Sequence, residues 1–278
     1  MEPISVEEKV AIASKFLLFS PPGEVNDVFN DVRTLVDNDE ALQDGILNAL
    51  EQYNTQQHIT VQPPDLEYEV IVSQYGKVDQ DRFLDPRSHK SFKFDHMRLT
   101  ASDLEDHEIE QSIEELRVAV DTEVQAYVAD HYPNGVCTVY GVNSEEIAIC
   151  IVDNKYNPHN YWNGRWLSSW TYSTQTGALK GTAKVNVHYY EEGNVQLSSE
   201  KGYEATVASD KEVQQTAAAI LKELAAFDKR YHNAINNSYN ELSENTFKGL
   251  RRALPLTRHK LDWNKILNYK IGSELTQK

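Results

Sequence analysis

The sequence predicts an α+β fold: helices gathered at the N-terminus, an antiparallel sheet in the middle, and one long helix after it. Three observations carry this expectation. Three amphipathic runs with apolar residues at 3/4 spacing fill the first 57 residues. Five β-prone runs lie between Val136 and Ser199, joined by short connections that contain Gly or Asn and suit hairpins better than parallel crossovers. A 3/4 pattern of about nine turns then passes through Ile220, Leu224, Phe227, Tyr231, Ile235, Tyr239 and Leu242.

Ser5 and Glu8 form a capping box, after which Val6, Val10, Ala13 and Leu17 share one helical face. Ser20-Pro21-Pro22-Gly23 stops that helix. A second run follows in Val25, Val28, Phe29, Val32, Leu35 and Val36, and a third in Leu42, Ile46, Ala49, Leu50 and Tyr53. Their short connections predict a three-helix stalk over residues 1–57.

Residues 58–134 read as a globule and a fourth helix. Short strands are expected near His58 to Val61 and Tyr68 to Gln74, followed by an irregular stretch with turns at Tyr75-Gly76 and Asp85-Pro86. The acidic run Asp103 to Glu110 lacks the Gly and the ligand ladder of a calcium loop, so it reads as a solvated charged linker. Ile109, Ile113, Leu116, Val120, Val124 and Tyr127 mark the fourth helix, ended by Tyr132-Pro133-Asn134-Gly135.

The central sheet occupies 135–208, with strands at Val136 to Tyr140, Glu146 to Val152, Arg165 to Thr174, Ala178 to Tyr190 and Val195 to Ser199. A first hairpin turning at Asn143-Ser144 would place Cys137 opposite Cys150, as packed thiols in a reducing compartment. Ser209 and Glu212 open the long helix over 209–243 with a second capping box. On the order of 45 to 50 Å long, that helix exceeds the roughly 24 Å width of one five-stranded sheet. A second chain that supplies further strands resolves the mismatch.

Charge sets the final segment, 244–278, apart. The chain has 27 Lys and Arg against 43 Asp and Glu, a net of −16. From Thr246 onward there are eight cations and two acids, +6, which leaves −22 for the body. So acidic a body argues against non-specific nucleic-acid binding, and a mean hydropathy of −0.58 leaves helix surface for a partner subunit. No basic, apolar leader or run of roughly 20 apolar residues is present. With two cysteines in 278 residues, the cytosol is the expected compartment.

Within this basic arm, Ser243 caps a short helix with Phe247, Leu250 and Leu254 inward and Lys248 and Arg252 together on the polar side; Pro255 breaks it. A further helix from about Thr257 carries Trp263, Ile266, Leu267 and Ile271 on one stripe and frays at Gly272. Two readings stand on these residues. Such a stripe is commonly core, folded back on an acidic body; alternatively it docks into a groove on an acidic partner, with the cations steering.

Elsewhere the structural readings lead. Trp162, Trp166 and Trp170, spaced by four, suit one strand face and a buried aromatic row, with Arg165 pairing an acid in the core. His188, His96 and His131 read as packed, hydrogen-bonded histidines rather than metal ligands. Glu191-Glu192 precede a Gly193-Asn194 turn signal and read as exposed charges. Nucleophile elbow, phosphate loop, dinucleotide fingerprint and paired-histidine zinc motif are all missing, so no catalysis, cofactor or metal is expected.

Several segments are long enough to be specific. Trp162-Asn163-Gly164-Arg165-Trp166 with Trp170, Val187 to Val195, and Phe247-Lys248-Gly249-Leu250-Arg251-Arg252-Ala253-Leu254-Pro255 resemble the hallmark segments of the F-actin-capping protein alpha subunit family. Pro21 to Arg33, Phe83-Leu84-Asp85-Pro86-Arg87 and Phe92-Lys93-Phe94-Asp95-His96 support them. The likeness runs from near the start to Gly272. It departs at Glu192, where the family often has Asp, and across the acidic Ala101 to Ser112.

That resemblance implies an actin-binding subunit of a heterodimer with a homologous beta subunit, which continues the sheet to about ten strands. It implies calcium-independent capping of the filament barbed end, in the cytoplasm and on the cytoskeleton. Lys248, Arg252 and Arg258 match the family's basic triad, and Trp263, Ile266, Leu267 and Ile271 would form the apolar actin contact. Regulators with the capping-protein-interaction motif are further possible partners. A second functional reading is a peripheral membrane protein in which Lys248, Arg252 and Arg258 bind phosphoinositides.

Overall fold

The computed structural model describes residues 4–36, 38–191, 193–208 and 212–242. Residues 1–226 form one compact unit and 227–278 a second. Helix α1 (Val6–Leu18) starts at the expected capping box, with Glu8 N–H donating to Ser5 Oγ at 3.2 Å and Ser5 N–H to Glu8 Oε2 at 3.1 Å. α2 (Val25–Val36) and α3 (Asp39–Gln56) follow, and α1 packs against both. Ala13, Leu17, Val25, Val32, Val36, Leu42, Ile46, Leu50 and Tyr53 are the buried core of this layer, as their spacing requires. Leu35, expected on the same face, is exposed.

The globule is more regular than the sequence suggests. A two-stranded ladder pairs β1 (Thr60–Val61) with β2 (Val70–Ile71). A three-stranded antiparallel sheet joins β3 (Arg82–Asp85), β4 (Lys90–Asp95) and β5 (Thr100–Asp106). Much of the acidic run read as a linker is therefore strand. Arg82 on β3 and Lys93 on β4 hold it, with Arg82 3.1 Å from Glu105, Lys93 3.2 Å from Asp103, and Arg82 Nη2 donating to the Asp103 carbonyl at 2.8 Å. Cross-strand charge pairs make an acidic strand tolerable. α4 (Glu114–His131) begins later than its apolar pattern, which leaves Ile109 outside it.

The central sheet is a five-stranded antiparallel meander in the order β10-β9-β8-β7-β6. Its strands are β6 (Gly135–Asn143), β7 (Glu146–Asn157), β8 (Trp162–Ser173), β9 (Ala178–Tyr189) and β10 (Val195–Thr206). The first hairpin corrects the predicted register. The turn falls at Ser144-Glu145, one residue later than expected, and an irregularity between Gly141 and Asn143 takes the ladder back by one, so Cys137 faces Ile151 and Thr138 faces Cys150. Alternation then sends the two thiols to opposite sheet faces. Both are free and buried, and burial pushes the Cys150 thiol up to about 12.

α4 lies on the face that carries Cys137, Trp166 and Trp170: Tyr132 packs on the Trp166 ring, and Arg117 donates to the Val139 carbonyl. Ile71 and Ser73 lie on the other face, where Tyr140 Oη donates to the Ile71 carbonyl at 2.6 Å and Ser73 Oγ lies 3.6 Å from Cys150 Sγ. The long helix α5 (Val213–Glu241) begins just after Glu212; Ser209 of its expected cap lies outside the described residues. Within the first unit it buries Ala217, Ile220 and Leu224, and Glu223 accepts a hydrogen bond from Tyr203 of β10 at 2.7 Å.

The aromatic row is real: Trp166 and Trp170 are buried, and Trp162 is half-buried on the same face of β8. Trp170 lies over Gly181 of β9, where a Cβ would come within 2.0 Å of its Cε3. A fully buried indole has nowhere to retreat. Gly181→Ala should therefore lower unfolding free energy by about 1–3 kcal/mol. Gly193→Ala, with nothing within 4 Å of its would-be Cβ, should be near neutral. Paired urea titrations measure both.

Candidate functional site

Most of the hallmark segments among the described residues meet at one junction between the helical layer and β8. Pro21 and Pro22 cannot continue α1, and Gly23 takes φ +78, a conformation that favours glycine. This turn delivers Glu24 to the start of α2, where Val28 N–H donates to the Glu24 carbonyl at 3.0 Å. A carboxylate is well placed there, beside unpaired amides at the positive end of the helix.

Glu24 reaches across to two neighbouring strands. Asn163 of β8 and His188 of β9 are register partners, so their side chains stand together on one face. Asn163 Nδ2 donates to Glu24 Oε1 at 2.9 Å, and His188 Nδ1 lies 2.8 and 2.9 Å from the two carboxylate oxygens. An ionised carboxylate only accepts, so His188 Nδ1 must carry the hydrogen. The packed histidine expected from the sequence is thus a cross-strand clamp on the helical layer.

Two residues along β8, Arg165 is 3% exposed. Its partners are neutral, contrary to the expected acid: Nε donates to Asn154 Oδ1 at 2.7 Å, Nη2 to Tyr156 Oη at 2.7 Å and Nη1 to Gln57 Oε1 at 3.4 Å. Gln57 is the C-terminal cap of α3. Further along that face, beyond Leu167, Ser169 Oγ lies 3.1 Å from His58 Nε2, and Tyr53 Oη donates to the Pro21 carbonyl at 3.2 Å. Hydrogen bonds to a charged group contribute roughly 1.5–3 kcal/mol each, and a buried guanidinium stripped of acceptors would cost more.

Phe83-Leu84-Asp85-Pro86-Arg87 builds a second joint. Asp85 accepts from Tyr68 Oη at 2.7 Å, Ser88 Oγ at 2.6 Å and Arg87 N–H at 3.1 Å, which fixes the β3–β4 turn. Burial, with the Asp85 carboxylate, pushes the Tyr68 phenol up to about 12. Arg87 then forks onto Asp121 of α4 (2.9 Å) and donates to the Cys137 carbonyl of β6 (2.7 Å). Phe83, Phe94 and His96 stack edge-on, and Asn54 of α3 donates to the His96 carbonyl at 3.0 Å.

The residues assigned to a binding role all lie elsewhere. Lys248, Arg252, Arg258, Trp263, Ile266, Leu267 and Ile271 fall in 243–278, outside the described residues, as does the Ser243 cap. Sequence reasoning missed the Glu24 contact, because its partners are 139 and 164 positions away. The signal present was Asn163, Arg165 and His188 standing as polar residues within β-prone runs.

The family model for the F-actin capping protein alpha subunit matches residues 13–274. The chain belongs to this family. It is 40% identical to the F-actin-capping protein subunit alpha of Caenorhabditis elegans over 99% of this chain and 100% of that one. Against the subunit alpha of Neurospora crassa identity is 38%, with 95% of each chain covered; against that of Dictyostelium discoideum it is 36%, covering 98% and 99%. The homodimeric actin capping protein alpha subunit of Plasmodium berghei superposes with a TM-score of 0.71, covering 92% of this chain and 100% of that one. At 21% identity, that structure speaks to the fold alone.

The junction has a pH signature. His58 is buried, and burial pushes its pKa down to about 4. Above its unfolded value near 6.5 the imidazole is neutral in both states, and stability is complete. As pH falls from about 6.5 toward 4 the unfolded chain takes up the proton first, so stability drops by on the order of 3 kcal/mol and then levels. At φ 50, His58→Asn preserves a residue that tolerates this backbone. Urea unfolding of the variant at about pH 7 and pH 4.5 should show about 2–3 kcal/mol less acid loss than the parent.

Proposed function

We propose that this chain is the α subunit of a heterodimeric, calcium-independent complex that caps the actin filament barbed end and blocks subunit gain and loss. The observation that carries the assembly is the state of β10. It is a twelve-residue edge strand, unpaired on its outer side among the described residues, with Val195 64% and Leu197 47% exposed. At the opposite edge, β6 buries Cys137 to Tyr140 beneath β2, Arg87 and α4. A long open edge beside exposed apolar side chains is a liability for an isolated chain. It is a ready seat for a partner that adds strands, and the family's "alpha subunit" description supports a homologous beta subunit in that place.

Actin is the partner named by the family. The basic arm supplies complementary charge: Lys248, Arg252 and Arg258 steer the encounter with an acidic filament end, and Trp263, Ile266, Leu267 and Ile271 then set the residence time. Phosphoinositides would compete for the same three cations and release the cap. The working place is the cytoplasm, at the cytoskeleton.

Replacing Lys248, Arg252 and Arg258 with Ala should slow capping of seeded filaments at the barbed end while the purified complex stays intact. Deleting residues 257–278 should chiefly speed dissociation from that end. Full capping by both variants would remove the arm from the mechanism. Separately, Val195→Glu with Leu197→Glu should shift the assembly toward single subunits in light scattering; an unchanged mass would contradict the β10 seat.

A further inference from the structure

Beside the Glu24 junction lies an open cavity of about 320 Å³. Tyr156, Pro158 and Tyr190 wall it, and Glu24, Asp27 and Asn163 contribute its polar surface. Asp27 follows Glu24 by three positions in the first turn of α2, so both carboxylates face the same side of the helix. Among the described residues no Lys or Arg lines it.

These groups are pre-positioned and short of donors. Asn163 is 5% exposed; its Nδ2 is used on Glu24, and its Oδ1 has no hydrogen-bond partner among the described residues. Both Glu24 oxygens are engaged by the single Nδ1 of His188, one of them also by Asn163, which leaves lone pairs on the carboxylate. Arg165 holds the Tyr156 hydroxyl from below. Tyr190 is wedged between His188, 5.2 Å away, and Tyr161, edge-on at 6.1 Å. Two aromatic walls, two carboxylates and an amide oxygen without a donor call for a planar cation that brings several N–H groups.

We propose that this cavity receives an arginine side chain from a partner polypeptide. A guanidinium stacks on tyrosine faces and offers five donors in a fixed plane, whereas an ammonium is a more strongly hydrated point charge. The charge of −22 over residues 1–245 favours approach of a basic segment. This site belongs to the first compact unit and stands independently of the capping reading.

The test uses the full-length purified protein labelled with 3-fluorotyrosine, with the Tyr190 resonance assigned through Tyr190→Phe. The probes are acetyl-Gly-Arg-Gly-amide, its neutral citrulline isostere, its lysine counterpart and spermidine. The arginine peptide should shift the Tyr190 signal saturably, the lysine peptide more weakly, and the citrulline peptide should need roughly tenfold more. Asp27 is exposed in the first turn of α2, so Asp27→Asn should keep the fold with only a small drop in melting temperature and weaken arginine-peptide binding about threefold to fivefold. Equal response to arginine and citrulline, no Tyr190 shift, or indifference to Asp27→Asn would overturn the proposal. A response to spermidine alone would assign the cavity to a free polyamine and equally overturn it.

Discussion

One carboxylate ties the helical layer to the sheet. Glu24 stands at the start of α2, where the helix's own unpaired amides favour negative charge. It accepts hydrogen bonds from side chains on two adjacent strands, Asn163 and His188. Withdrawing a charge from water is costly unless it is hydrogen-bonded, and this one is held by two donors, Asn163 Nδ2 and His188 Nδ1. The Pro21-Pro22-Gly23 turn brings it there, and Arg165, Gln57, His58 and Ser169 repeat the same device along β8. Apolar burial gives the layer its stability, whereas these directional bonds set where the layer sits on the sheet.

Function follows from what that arrangement leaves open. The helices, the small sheet and α4 cover β6 to β8, and Arg87 bolts the small sheet to α4 and β6 through Asp121 and the Cys137 carbonyl. β9 and β10 extend beyond, increasingly exposed, to an edge with no strand beyond it among the described residues. A binding subunit needs no catalytic pocket; it needs a rigid platform, a seat for its partner and a group that meets the target. The hallmark segments within the described residues build the platform, while the arm that would meet actin is encoded separately at the basic end of the chain.

Local signals were the legible ones. The Ser5–Glu8 box, the stop at Pro21-Pro22, the 3/4 stripes of α1 to α3 and the hairpin sequence of the meander each depend on neighbours within a few residues, and the structure agrees with them. Longer-range features were not. A turn one residue later than expected, together with the irregularity before Asn143, left the β6–β7 register one residue off and separated Cys137 from Cys150. β5 hid behind its charges because Arg82 and Lys93, which neutralise them, come from other strands. Arg165 found neutral oxygens instead of an acid, and Glu24 found partners that no spacing rule connects. Family resemblance marked these residues as a set without indicating what they do.

Hydrogen exchange across β10 bears most directly on the claim that a rigid platform exposes an edge for a second subunit. In the assembled, capping-competent complex, amides from Val195 to Thr206 should be protected to the degree of those in β8, although β10 is the outermost strand of the sheet among the described residues. Rapid exchange along β10 in a complex that still caps filaments would contradict the account.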